Sequence, residues 1–197
     1  MDAKNPRQRL LDGAIDYVAA NGMSDVSLRA LAAALGTSHR MLIFHFGSKE
    51  KLWVEIVKTV EQRQRELLGA LLPGPDPGQP VGVAMRAWWK HISDPALWPN
   101  ERLFFELYGQ ALQGRPYTTE LLEGIVEDWL EPATEINVSL GVPRPTARAH
   151  ARLGVAVTRG LLLDLLATRD VAGVDAAMEA FIDVYEKWLA ASASRSE

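Results

Sequence analysis

Arg29, His39, Arg40, His45 and Lys49 stand within one short stretch of the chain. An arginine presents a planar fork of donors that fits phosphate oxygens or the O6/N7 edge of guanine, and a lysine is a compact charge suited to phosphate. Arg29 falls in the first turn of a helix predicted to start after Ser27, where free backbone N–H groups also favour an anion. Lys49 follows Ser48 at another predicted helix start, so its backbone N–H and its ammonium address the same place. Ser27, Ser38 and Ser48 each precede a helix-forming run, where a hydroxyl can accept from orphan N–H groups. His39 and His45 lie six residues apart and do not share a helical face, which speaks against a common metal and for phosphate or sugar contacts.

The segment from His39 to Phe46 has two unlike faces. With Leu42 as the buried direction and about 100° per residue, Ser38 and Phe46 fall within ~40° of it. Arg40 and Phe44 then point outward, Met41 and Ile43 occupy the flanks, and His39 and His45 sit near the margins of the buried face. An outward surface of Met, Ile and Phe with one arginine gains nothing from water. In a major groove it has a use: Arg40 can fork to guanine while Met41 or Ile43 packs on a thymine methyl. The alternative is that these apolar side chains bury against another part of the chain.

Ala32, Gly36 and Leu42 keep the spacing of a helix-turn-helix, with a small residue for close approach, a glycine for the turn and a leucine to plug the gap. The run Met41-Leu42-Ile43-Phe44-His45-Phe46-Gly47-Ser48-Lys49-Glu50-Lys51-Leu52 resembles the motif of the TetR family of bacterial transcription regulators. It departs from that motif at Met41, usually Thr or Ser, and at Ile43, usually Tyr. The resemblance implies phosphate or sugar contact at His45 and phosphate contact at Lys49. It further implies an all-α fold: a helix-turn-helix head joined by a long helix to a helical body that encloses an effector pocket and dimerises through its last two helices. The expected domains are a DNA-binding head, 1–48, and an effector-binding and dimerisation body, 49–197. The implied function is a cytoplasmic homodimeric repressor, bound to a palindromic or pseudo-palindromic duplex and released by a small molecule.

Composition agrees in part. The 197 residues carry a net charge of −4, which taken alone disfavours a nucleic-acid binder. The charge is uneven, however: residues 1–72 hold ten Lys/Arg against eight Asp/Glu, and the remainder eleven against seventeen. That has the sign of a DNA-binding head on an acidic body. With no cysteine there are no disulfides or thiolate metal sites. There is no leader-like N-terminal segment and no apolar run long enough for a bilayer, so no membrane partner is expected. A Gly-rich phosphate loop, a G-x-S-x-G elbow and a His pair at metal spacing are all missing, so neither an enzyme nor a cofactor is expected.

The positioning elements follow from periodicity. Arg7–Asn21 reads as a first helix ended by Asn21-Gly22, with Arg7 or Arg9 able to touch phosphate. Ser27–Leu35 and the His39 helix form the pair, and Lys49–Leu72 a long helix with the stripe Leu52, Ile56, Val60, Leu67 and Leu71. A proline-rich loop over 73–80 breaks it. Val81–Ser93, Asn100–Gln113, Tyr117–Leu140 kinked at Pro132, Thr146–Ala167 and Gly173–Ala191 read as five more helices. Trp88, Trp89, Phe105, Tyr108 and Trp129 concentrate in this body, as core or as the lining of an effector cavity. The leucine run from Leu153 through Val157, Leu161 and Leu162 to Leu165 covers almost the whole circumference of its helix. Such a helix must be covered on both sides. Together with Phe181, Tyr185 and Trp188 of the last helix it is expected to form the dimer interface. Arg159 and Asp164, embedded in that run, need partners: an effector, or a pairing across the dimer.

Overall fold

A computed structural model describes residues 5–22, 26–71, 80–116 and 118–193. Among them are nine α-helices and no strand: α1 Pro6–Asn21, α2 Leu28–Ala34, α3 His39–Phe46, α4 Lys49–Leu71, α5 Val81–Ile92, α6 Trp98–Leu112, α7 Glu127–Ser139, α8 Arg144–Thr168 and α9 Val171–Ala193. The N-terminal tail with Lys4, the loop over 73–79 and the residue Tyr117 lie outside the described residues.

Local chemistry sets the first helices. Asn5 accepts from the backbone N–H of Arg7 at 3.1 Å, and Pro6 occupies the first helical turn, where its missing N–H costs nothing. Leu11, Ala14, Ile15 and Val18 are the buried side of α1. Gly13 marks a close approach: a Cβ there would stand 2.8 Å from the Leu35 side chain. Between α2 and α3, Gly36 takes φ +64, and the N–H of Thr37 returns to the carbonyl of Ala32 at 2.9 Å. These are the glycine and the small residue picked out by the helix-turn-helix spacing.

The chain divides into two compact units that cut it differently from an expectation of 1–48 and 49–197. One comprises Met1–Arg63 with Pro95–Glu123, the other Gln64–Asp94 with Gly124–Glu197. In the first, α6 packs on α1. Ion pairs also tie α1 to α4, Asp12 to Arg63 at 2.5 Å and Arg7 to Glu55 at 2.5 Å.

In the second, α9 packs on α5 and α8, and α7 on α8. Pro80 offers α5 no side-chain cap. Glu186 of α9 does so instead, accepting from the Gly82 N–H at 3.1 Å. Arg86 pairs with Glu179, and the Trp89 indole donates to Asp175 at 2.7 Å. Gly82, Arg86 and Trp89 thus meet Glu186, Glu179 and Asp175 in turn along one antiparallel seam. On α7, Glu127, Glu131 and Glu135 face Arg144, Arg148 and Arg152 of α8, for example Arg144–Glu131 at 3.4 Å and Arg148–Glu131 at 3.6 Å. Those charges are exposed, so each pair adds little by itself. Tyr185 donates its hydroxyl to Asn137 inside the unit, and burial pushes the phenol up to about 12. His150 stacks on Trp188 with centroids 5.1 Å apart, and burial lowers its pKa.

Three helix boundaries differ from the sequence reading. The helices expected to start at Asn100 and Thr146 begin earlier, at Trp98 and Arg144: Pro99 and Pro145 sit in the first turns of α6 and α8, where no intrahelical N–H is required. The helix expected over Tyr117–Leu140 is two pieces, a short 3₁₀ turn Thr119–Leu122 and α7 from Glu127, parted by Gly124 at φ +76. Leu121 and Ile125 are buried although neither belongs to α7, which is why the apolar pattern ran unbroken. Pro132 lies within α7.

Gly82 gives a direct test of the seam. An added Cβ would stand 2.9 Å from both Ile182 and Arg86, and would press on the Glu186 carboxylate. Gly82→Ala is expected to lower stability by about 1–3 kcal/mol, seen as a lower denaturant midpoint. Gly109→Ala in α6, with open space around the new methyl, should instead be neutral or stabilising by up to ~1 kcal/mol.

Candidate nucleic-acid interface

The site is built around α3. Ser38 opens the helix by accepting from the Met41 N–H at 3.2 Å, and Gly47 closes it at φ +81 with its N–H on the Ile43 carbonyl. Leu42 (1% exposed) and Phe46 are its buried residues. Met41 is 41% exposed, Ile43 36% and Phe44 77%, and His39 and Arg40 are also exposed. The apolar residues therefore do not bury against another part of the chain. His45 is half-buried, its ring edge-on to Phe44 at 5.1 Å. Ser38 is itself exposed, although angle alone put it on the buried side. At a helix N-cap the backbone has already left the helical path, so helical stepping does not reach it.

The flanking positions divide by role. Ser27 accepts from the Ala30 N–H at 3.1 Å and Ser48 from the Lys51 N–H at 3.1 Å, so both hydroxyls are already at work as caps. Arg29 is exposed on α2. Lys49, at the start of α4, is half-buried with its ammonium 5.9 Å from the Trp53 ring centroid. Arg7 holds Glu55 and reaches the carbonyl of His45 at 3.3 Å. Sequence spacing gave no sign of that engagement, since Arg7 and Glu55 sit far apart in the chain and neither belongs to a local motif.

Residues 10–56 match the family model described as bacterial regulatory proteins, tetR family. The matched segment is similar to that family across the helix-turn-helix. A TetR-type head is the DNA-binding part of a transcription regulator, and the exposed side of α3 is its outward surface.

Solved structures share the fold along most of the chain. A transcriptional regulator from Rhodococcus sp. Rha1 superposes with a TM-score of 0.71 at 20% identity, covering 91% of this chain and 95% of that one. A TetR transcriptional regulator from Legionella pneumophila does so with 0.69 at 17% identity, covering 94% and 99%. A protein described as a transcriptional regulator from Saccharomonospora viridis, crystallised in complex with choline, gives 0.69 at 20% identity, covering 92% and 95%. No curated protein matches the chain in sequence.

The residues expected at an effector site fall in both compact units of the chain. Phe105 and Tyr108, on α6, belong to the first and are half-buried. Trp88, Trp89, Trp129 and Arg159 belong to the second. Trp88 and Trp129 lie with centroids 5.8 Å apart, and the Arg65 guanidinium stands 5.7 Å from the Trp129 ring. Arg159 donates to the Ile125 carbonyl at 2.6 Å.

Among the residues expected at the dimer interface, Leu153 is exposed, and Val157, Leu161, Phe181 and Trp188 are half-buried. Leu162, Leu165 and Tyr185 are buried within their own chain. No helix among the described residues is long and apolar enough to cross a membrane.

Proposed function

We propose that the protein is a homodimeric repressor that binds a palindromic or pseudo-palindromic DNA operator and is released from it by a small molecule. The observation that carries the reading is the outward side of α3, where Arg40 stands among exposed Met41, Ile43 and Phe44. An eight-residue helix with that surface has little reason to face water and a clear one to enter a major groove. Arg40 reads a base, most simply guanine, while Met41 and Ile43 pack on thymine methyls. Phe44 and His39 line the same surface. Arg29, His45 and Lys49 hold backbone phosphate or sugar, and the Ser27 and Ser38 hydroxyls fix the helix starts that present N–H groups to it. The protein works by binding rather than catalysis, needs no cofactor, and acts in the cytoplasm where its DNA is.

Dimerisation is assigned to α8 and α9. On α8 the exposed residues Leu153, Ala156, Gly160, Leu163 and Ala167 recur at alternating steps of three and four. On α9 Ala177, Ala180 and Val184 do the same. That period supports a close-packed seam between helix pairs. It shifts the expected contacts outward from Leu162, Leu165 and Tyr185 to the positions beside them. Effector binding is assigned to the second unit around Trp88, Trp129 and Arg159, whose aromatic character suits a largely apolar or aromatic ligand. The choline-bound relative supports a small-molecule site in this fold.

Each part has its measurement. Arg40→Ala is expected to cost roughly 1–3 kcal/mol on an operator selected from random duplex and to relax preference at one position per half-site. Lys49→Ala should weaken selected and scrambled duplex alike and flatten the log–log salt slope by about 0.9 per phosphate contact, hence about 1.8 per dimer. Equal loss on both duplexes for Arg40→Ala would make it a phosphate clamp instead.

For the seam, Leu163→Asp should convert a sedimenting dimer to monomer with helicity retained. A wild-type chain that sediments as a monomer at micromolar concentration overturns the dimer.

For the effector, titration of apolar and aromatic amines should change tryptophan fluorescence and weaken operator binding together, by no more than the ligand's preference for the released state. A fluorescence change with unaltered operator binding removes the release step.

A further inference from the structure

The guanidinium of Arg7 lies where three helices meet. Its Nη1 stands 2.5 Å from one carboxylate oxygen of Glu55 on α4, and its Nη2 donates to the other at 2.6 Å. Its Nε donates to the backbone carbonyl of His45 at 3.3 Å. The centre of the guanidinium is 5.0 Å from the Phe46 ring centroid. His45 and Phe46 are the last two residues of α3. One side chain from the first turn of α1 therefore pairs with α4 in fork geometry and covers the C-terminal end of α3. Its charge has the sign that the carbonyl end of a helix favours.

α3 is two turns long, below the length at which a helix persists unaided, so its direction is set by what grips it. Its N-terminus has Ser38 and its middle has buried Leu42. Its C-terminal end has the Phe46 ring, and over that ring lies Arg7. We propose that Arg7 is a positioning residue for DNA recognition: held by Glu55, it fixes the C-terminal end of α3 so that Arg40, Met41 and Ile43 meet base edges at one angle.

The proposal rests on α3 being the recognition helix. It differs from the role that an arginine near the start of the chain would take by charge alone, a phosphate contact. The guanidinium already directs Nε to a carbonyl and both Nη atoms to a carboxylate, and lies over an aromatic face. Glu55 is in the same sense part of the recognition apparatus without meeting DNA.

The test compares wild type with Arg7→Gln, Glu55→Gln and the double variant, on an operator selected from random duplex and on scrambled duplex, across a salt series. The expected result is a loss of roughly tenfold on the operator and under about threefold on scrambled DNA, with the salt slope unchanged. Glu55→Gln should act in the same direction as Arg7→Gln, and the double variant should be no worse than the worse single one. Loss on both duplexes with a slope flattened by about 0.9 per contact makes Arg7 a phosphate ligand and overturns the proposal.

Hydrogen exchange without DNA reads the clamp by itself. In Arg7→Gln the amides of residues 42–47 should exchange several-fold faster, while those of α5 and α9 keep wild-type rates. Unchanged exchange in α3 also overturns the proposal. Wild-type protein that selects no duplex, with faster α3 exchange in the variant, would instead leave the clamp standing and remove the DNA-binding reading on which its use depends.

Discussion

α3 has eight residues and cannot remain helical in water alone, because nucleating the first turn costs more than two turns of hydrogen bonds return. Everything that holds it must come from outside its outward surface, which is kept clear for another purpose. Leu42 and Phe46 supply the packing, and both are nearly fully buried. Ser38 satisfies one orphan donor at the start, and Gly47 turns the chain away at the end without the Cβ strain another residue would meet at φ +81. Arg7 covers the carbonyl end. Remove the inward grip and the apolar outward side would have every reason to turn over and bury itself. The helix can display Met41, Ile43 and Phe44 to solvent only because its other side is more strongly held.

The same logic extends to the rest of the first unit. α2 meets α3 across a turn closed by the Thr37–Ala32 hydrogen bond, and α1 comes close enough at Gly13 to touch Leu35. Ion pairs from Arg7 and Asp12, in the first half of α1, tie it to α4, and α6 packs on α1. The compact unit around α3 is therefore larger than a three-helix head and takes in a segment, Pro95–Glu123, from far along the chain. α4 contributes residues to both compact units while remaining one continuous helix.

Much of this was legible in the sequence because it rests on local rules. Serine before a helix-forming run, glycine at a left-handed turn and leucine at the plug position act over three or four residues, and Ser27, Ser38, Ser48, Gly36 and Gly47 behave as those rules require. The outward direction of Arg40 and Phe44 followed from Leu42 by rotation alone. What periodicity could not supply was pairing at a distance. Nothing local links Arg7 to Glu55, Gly82 to Glu186 or Trp89 to Asp175. Nor does a run of leucines say which of its sides is inward. Leu162 and Leu165 belong to the core of their own chain, while Leu163 between them is half-exposed. The continuous apolar pattern through Leu121 and Ile125 hid the break at Gly124, because burial recurs in loops that tuck inward as well as in helices.

α9 shows how one helix can meet several demands without conflict. Asp175, Glu179 and Glu186 are taken by α5, each with a different partner. Tyr185 is taken by Asn137 and Trp188 by His150. These contacts use many of the large and charged side chains, and beside exposed charges such as Asp183 and Lys187 the small residues Ala177, Ala180 and Val184 also face outward. Small residues are poor core and good seam, since they let helix backbones approach closely over a long line. A surface built this way gains little from water and loses little side-chain entropy when covered, because alanine and glycine have almost none to lose. Leu162, Leu165 and Tyr185 lie inside, where their area is buried whether or not a partner is present. The chain can thus fold on its own core and still keep an outward apolar stripe, and the three-and-four spacing of that stripe is the spacing by which one long helix packs on another.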